Sequence, residues 1–76
     1  MSMRRLIVEN AFTGERTEID LDENLTFREA LIGLVPVDSR DDFRVLDEKG
    51  NDISNQRVKD YKGAKVSITP PIVEGG

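Results

Sequence analysis

Hydrophobic and polar positions alternate along the first part of the chain with a period of two. In residues 4–12, RRLIVENAF, Leu6 and Val8 share one face and Ile7 lies on the other, the pattern of a half-buried strand. Thr13, Gly14 and Glu15 read as a turn in which Gly14 is free to take positive φ. Residues 16–22, RTEIDLD, put Thr17, Ile19 and Leu21 on one face and Arg16, Glu18, Asp20 and Asp22 on the other. Strand, short glycine turn and alternating strand predict a hairpin.

The period then lengthens. In NLTFREALIGLVP, Phe27, Ala30, Leu31 and Leu34 recur at helical spacing and define one apolar stripe. Thr26 and Glu29 fit a capping box, with Asn24 as a competing cap. Gly33 weakens the helix and Pro36 ends it, so the helix runs for about two to three turns. A lone amphipathic helix of that length is unstable in water, so its stripe is predicted to lie on the sheet.

Residues 38–42, DSRDD, are a polar loop. Residues 43–46, FRVL, predict a third strand with Phe43 and Val45 inward. The turn signal Glu48-Lys49-Gly50-Asn51 follows, then a brief edge strand over residues 52–54 carrying Ile53. Val58 and Tyr61 add apolar groups in a turn-rich stretch closed by Gly63. Residues 65–69, KVSIT, are the last strand, with Val66 and Ile68 inward, and Pro70-Pro71 stops it because proline cannot donate to a ladder. One helix among such strands predicts an α+β layer pair, a mixed four- to five-stranded sheet with one short helix packed across it.

Composition narrows the chemistry. With 76 residues there is room for one domain. Cysteine and histidine are both absent, which removes disulfides, thiolate metal sites, and the usual general base and metal ligand. The net charge is −4, and arginines and lysines are scattered among carboxylates, so a nucleic-acid-binding face is not expected. Apolar runs are too short to span a membrane, and no apolar segment follows Arg4 and Arg5 as in a secretion signal. The expectation is a soluble, cytoplasmic, monomeric protein, without metal or cofactor, that is not itself an enzyme. The acids Asp41-Asp42 and Asp47-Glu48 read as solvated loop charges, and DEKGND lacks the ligand set of a Ca²⁺ loop. Lys49, Lys59, Lys62 and Lys65 read as surface lysines, and Tyr61 as a group bonded to backbone in its turn.

The ordered set of segments resembles the ubiquitin-like β-grasp family, in its prokaryotic type. FTGERTEIDLDENLTF looks like ubiquitin's first hairpin and helix start, RVLDEKGNDIS like its third and fourth strands, and RVKDYKGAKVSI like the stretch with its Asp-Tyr turn and last strand. The end, VSITPPIVEGG, looks more like the sulfur-carrier branch, the molybdopterin-synthase small subunit and the thiamine sulfur carrier. The resemblance implies a β-grasp domain over residues 1–70 and a flexible Gly-Gly tail over residues 71–76. It implies that the Gly76 carboxylate is activated with ATP by a separate adenylating enzyme. In a modifier the acyl group then passes by thioester, through a conjugating enzyme, to amines of target proteins. In a carrier it becomes a thiocarboxylate on Gly76 itself. A third reading is a binding module that is never conjugated. The modifier is the reading preferred here.

Gly75 and Gly76 are the implied reacting residues. Glycine there lets the backbone thread a narrow channel and leaves the carbonyl open to attack. Pro71, Ile72, Val73 and Glu74 are the expected contacts of the activating enzyme, with Glu74 where ubiquitin has an arginine. Pro70-Pro71 is expected to hold the tail extended. By alternation Arg44, Ser67 and Thr69 point outward from the sheet, with Phe12 the only large apolar candidate. Arg44, Thr69 and Phe12 are therefore the expected partner contacts on the body. Ordinary ubiquitin receptors, which read an apolar patch on that face, are not expected to bind.

Overall fold

The computed structural model describes residues 2–71. Within them the chain forms β1 (Met3–Asn10), β2 (Glu15–Asp22), α1 (Phe27–Leu31), β3 (Arg44–Leu46) and β4 (Lys65–Thr69), with short 3-10 turns at Ile32–Leu34, Val37–Ser39 and Val58–Asp60. The four strands make one mixed sheet in the order β2-β1-β4-β3. β1 pairs antiparallel with β2 and parallel with β4, and β3 pairs antiparallel with β4. The helix covers one face, which gives an α+β fold of the β-grasp kind.

Alternation places the core. Leu6 and Val8 of β1, Leu21 of β2, Val45 next to Phe43 at β3, and Val66 and Ile68 of β4 are buried on the helix side, under Phe27 and Leu31. Ile53, Val58 and Tyr61 close the open end of this layer. Removing such side chains from water is the main stabilising term in a chain of this size. The helix begins as its sequence predicts. Glu29 N donates to Thr26 Oγ1 at 3.2 Å, and Thr26 N donates to Glu29 Oε1 at 3.0 Å. That capping box satisfies end groups with no partner inside the helix.

Three local expectations are corrected. Leu34 does not join the buried stripe. The helix tightens to a 3-10 turn at Ile32–Leu34, and Val35 is extended at φ −104° and ψ 137°. The chain therefore turns Val35 into the core and leaves Leu34 exposed. The first strand ends at Asn10 rather than Phe12. Asn10 Oδ1 accepts from Phe12 N at 2.9 Å and starts the turn, while Ala11 N donates across to Ile68 O at 2.9 Å. Gly14 closes that turn with φ +77°. Finally, residues 52–54 form no strand. They make one bridge, Leu46 to Asp52, and Ile53 N donates to Val45 O at 2.8 Å. Val45 N donates to the Ser54 hydroxyl at 2.8 Å, so a side chain stands where a strand carbonyl would.

Candidate functional site

The parallel pairing of β1 and β4 decides where the C-terminal segment leaves the domain. β4 runs alongside β1 from Ile7 to Asn10, so its last residues lie beside the β1–β2 turn. Pro70 is exposed and Pro71 half-buried at this end. Neither can donate to β1 or β3, which is why pairing stops at Thr69. The expected reacting residues Gly75 and Gly76, and the expected enzyme contacts Ile72, Val73 and Glu74, lie outside the described residues.

The body residues expected to meet a partner are partly brought together. Arg44 and Thr69 face each other as paired residues of β3 and β4. Arg44 is half-exposed, with Nη1 3.9 Å from Asp52 Oδ2. Thr69 Oγ1 is buried and has no hydrogen-bond partner among the described residues. Phe12 sits in the β1–β2 turn and packs, half-buried, against the edge of the core. A groove of about 430 Å³ runs between that turn and the outer end of β4, lined by Glu9, Gly14, Arg16, Ser67 and Thr69 among others.

The outer face of the sheet is a lattice of matched charges. Arg5 Nε donates to Asp20 Oδ1 at 3.0 Å across β1 and β2. Glu9 Oε1 lies 3.8 Å from Arg16 Nη1 and 3.4 Å from Lys65 Nζ. The Arg5 hydrogen bond holds the Asp20 carboxyl below its ordinary value of 3.8 and raises Arg5 in turn. Exposed pairs of this kind add little stability, but they leave no large field of one sign. Phe12, expected to be the one large apolar candidate, packs against the edge of the core instead. Ile7 and Leu46 are out of phase with their buried neighbours, and both are half-buried on the outer face. The signal for Leu46 lay in the same alternation that put Phe43 and Val45 inside, and only the register opposite Ser67 makes it count.

The turn after β3 is built around one carboxylate. Asp47 Oδ1 accepts from Lys49 N at 2.8 Å and from Asn51 N at 2.9 Å, and Gly50 takes φ +87°. The Asn51 backbone bond is the main cause that holds the Asp47 carboxyl below its ordinary range. Its lone pairs are spent on the turn. Among the described residues no group of three or more carboxylates is placed to hold a metal ion, and no helix is long and apolar enough to cross a membrane. No family model matches the chain, and no curated protein matches it either.

Proposed function

We propose that this chain is a ubiquitin-like protein modifier that reacts through Gly76. The observation that supports this reading is the meeting of a β-grasp body with the sequence that follows it. β4, an inner strand of the sheet, is stopped by Pro70-Pro71 at the end of the domain, and the sequence continues as IVEGG. The Gly76 carboxylate attacks the α-phosphate of ATP and releases pyrophosphate. An enzyme thiol then attacks the acyl adenylate and displaces AMP. An amine of the target attacks the thioester, freeing the thiol and leaving an amide. Beyond the Gly76 carboxylate itself, the reading asks no side chain of this protein to act as acid, base or nucleophile, which fits a sequence without histidine or cysteine. Its contribution is the unhindered carbonyl of Gly76 and a surface by which enzymes select it. Glu74 and the apolar Ile72 and Val73 call for an activating enzyme with apolar contacts and a cationic group at its channel.

The sulfur carrier is the second reading, favoured by the two prolines ahead of the glycines. There the outer sulfur of an enzyme persulfide attacks the acyl adenylate and displaces AMP, and a second enzyme thiol cleaves the resulting acyl disulfide, leaving a thiocarboxylate on Gly76 and a disulfide on the enzyme. In a binding module of the third kind, the tail takes no part. One comparison separates the three. The chain, tagged at its N-terminus, is expressed in its own cells with and without Gly75 and Gly76 and blotted under denaturing conditions. A modifier gives heavier adducts that vanish with the deletion. A carrier gives none, and its intact mass shows sulfur in place of oxygen. A binding module keeps its role after the deletion.

A further inference from the structure

The least explained apolar surface lies just past α1. Ile32 and Leu34 are 39% and 41% exposed, and Val37 is 74% exposed. Asp38, Asp41 and Asp42 follow directly and are exposed as well. Arg40, the only cation among them, turns its Nε back onto the Val35 carbonyl oxygen at 3.0 Å. This stretch, three exposed apolar side chains within six residues followed by three exposed carboxylates, is termed the ridge. Grouped exposed apolar side chains with a polar margin are the usual mark of an interaction surface.

Its position gives it meaning. Asn10 Nδ2 donates to the Leu34 carbonyl oxygen at 2.9 Å. Asn10 is the β1 partner of Ile68, two residues before Pro70. The ridge therefore stands at the end of the domain where β4 gives way to Pro70-Pro71. An enzyme that takes up the segment beyond Pro71 must come down on this end.

We propose that Ile32, Leu34 and Val37 form a second docking surface for the adenylating enzyme, which meets them with an apolar pocket rimmed by lysine or arginine. The proposal rests on the reading of Gly76 given above. A second copy of the chain is a poorer occupant. Facing ridges would set Asp38, Asp41 and Asp42 against their own kind, and three side chains fall far short of the roughly 800 Å² per partner of a stable interface. An anionic membrane surface is repelled by the same carboxylates. Because the ridge is remote from the reacting carbonyl, its contacts are alike in ground and transition state. Losing them raises KM and leaves kcat alone.

The enzyme is first isolated on a chain whose Gly76 carries an acyl-sulfamoyl adenosine, a stable mimic of the acyl adenylate. Capture alone decides nothing. ATP–pyrophosphate exchange is then followed against concentration of the wild type, Val37→Ser, Leu34→Ser/Val37→Ser and Asp38→Lys/Asp41→Lys. The double serine variant is expected to raise KM roughly tenfold with kcat unchanged, and the lysine variant to raise it further at low salt than at high salt. Val37→Ser, at so exposed a position, keeps the circular dichroism and melting temperature of the parent and still raises KM. All variants within about twofold of wild type in KM, or a loss confined to kcat, overturn the docking surface. If wild type drives exchange and the variants match it, the docking surface alone fails. If wild type drives none, the Gly76 reading fails and the ridge falls with it.

Discussion

Arg4 stands on β1 in phase with Leu6 and Val8, opposite Leu21, on the face the core occupies. Its guanidinium is accommodated by carbonyls. Nη1 donates to the oxygens of Tyr61 and Val58, Nη2 donates to Gly63 O at 2.7 Å, and Cζ lies 5.8 Å from the Tyr61 ring centre. Tyr61 is held in turn by its edge-on contact with Phe27 at 5.4 Å and by its hydroxyl, which donates to Lys65 O at 2.6 Å. Burial raises the phenol above its ordinary value of 10.0, so it stays a donor throughout the neutral range. Gly63 is needed beside it, since a Cβ there would lie 2.5 Å from the Tyr61 oxygen. Arg4→Met keeps the stem but leaves these carbonyls without their donor. It is expected to cost about 1.5–3 kcal/mol in urea unfolding, the range for hydrogen bonds to a charged group. Arg5→Met, one residue along in an exposed pair, should leave the urea midpoint unmoved within error. Equal effects of the two would contradict the role given to Arg4. The bond from Tyr61 to backbone was legible from its turn-rich surroundings, but the Arg4 contacts were not, because alternation marks position 4 for an apolar residue and cannot name carbonyls more than fifty residues away.

At the scale of elements, Ser54 and Asp52 replace the edge strand that the apolar Ile53 suggested. Ser54 Oγ accepts from Val45 N and donates to Asp52 Oδ1 at 2.6 Å. That hydroxyl, with the Ser54 backbone N–H, holds the Asp52 carboxyl below its ordinary value. Ser54→Ala leaves the Val45 N–H buried without an acceptor. We expect a loss of about 1–3 kcal/mol and faster hydrogen exchange at the Val45 amide, with exchange at the Leu6 and Val8 amides less affected. The strands themselves were legible. Leu6 and Val8, Phe43 and Val45, and Val66 and Ile68 all point where a period of two sends them, because each strand has one wet face. The helix was legible at its start, where Thr26 and Glu29 are close in sequence, and not at its end. Helical periodicity carried on to Leu34, whereas Gly33 and Pro36 let the last turn tighten, and Val35 fills the core instead.

For the molecule as a whole, the lack of histidine and cysteine fixes the shape of the pH profile. No side chain titrates ordinarily between about pH 5 and 8, so stability should be flat there. Asp20, Glu29, Asp47 and Asp52 are all lowered in the fold, chiefly by the hydrogen bonds they accept from Arg5, Thr26, Asn51 and Ser54 respectively. A lowered carboxyl means that the unfolded chain takes up protons first. The stability these groups give is complete above their ordinary values of 3.8 and 4.5, falls as the pH passes below them, and is gone beneath the lower folded values. Urea midpoints that stay level from pH 8 to 5 and drop toward pH 3 fit this account, and a drop already at pH 6 does not. The β-grasp architecture was readable because its hairpin, capped helix and proline-stopped strand each carry a local signal. The candidate site was readable only as far as Gly75 and Gly76 stand out in sequence. Its surroundings depend on the parallel β1–β4 pairing, which no local pattern encodes and which alone brings Leu34, the β1–β2 turn and Pro70 to one end.

If Gly76 becomes joined to amines of other proteins, trypsin exposes that bond. Cleavage after Lys65 leaves residues 66–76 on whatever lysine has been modified. Adducts purified through an N-terminal tag under denaturing conditions, digested and sequenced by tandem mass spectrometry, should yield branched peptides in which the Gly76 carbonyl is bonded to a lysine ε-nitrogen. Recovery of the same segment only as a linear peptide, whether ending in a free carboxylate, ending in a thiocarboxylate or continuing past Gly76, contradicts the modifier reading.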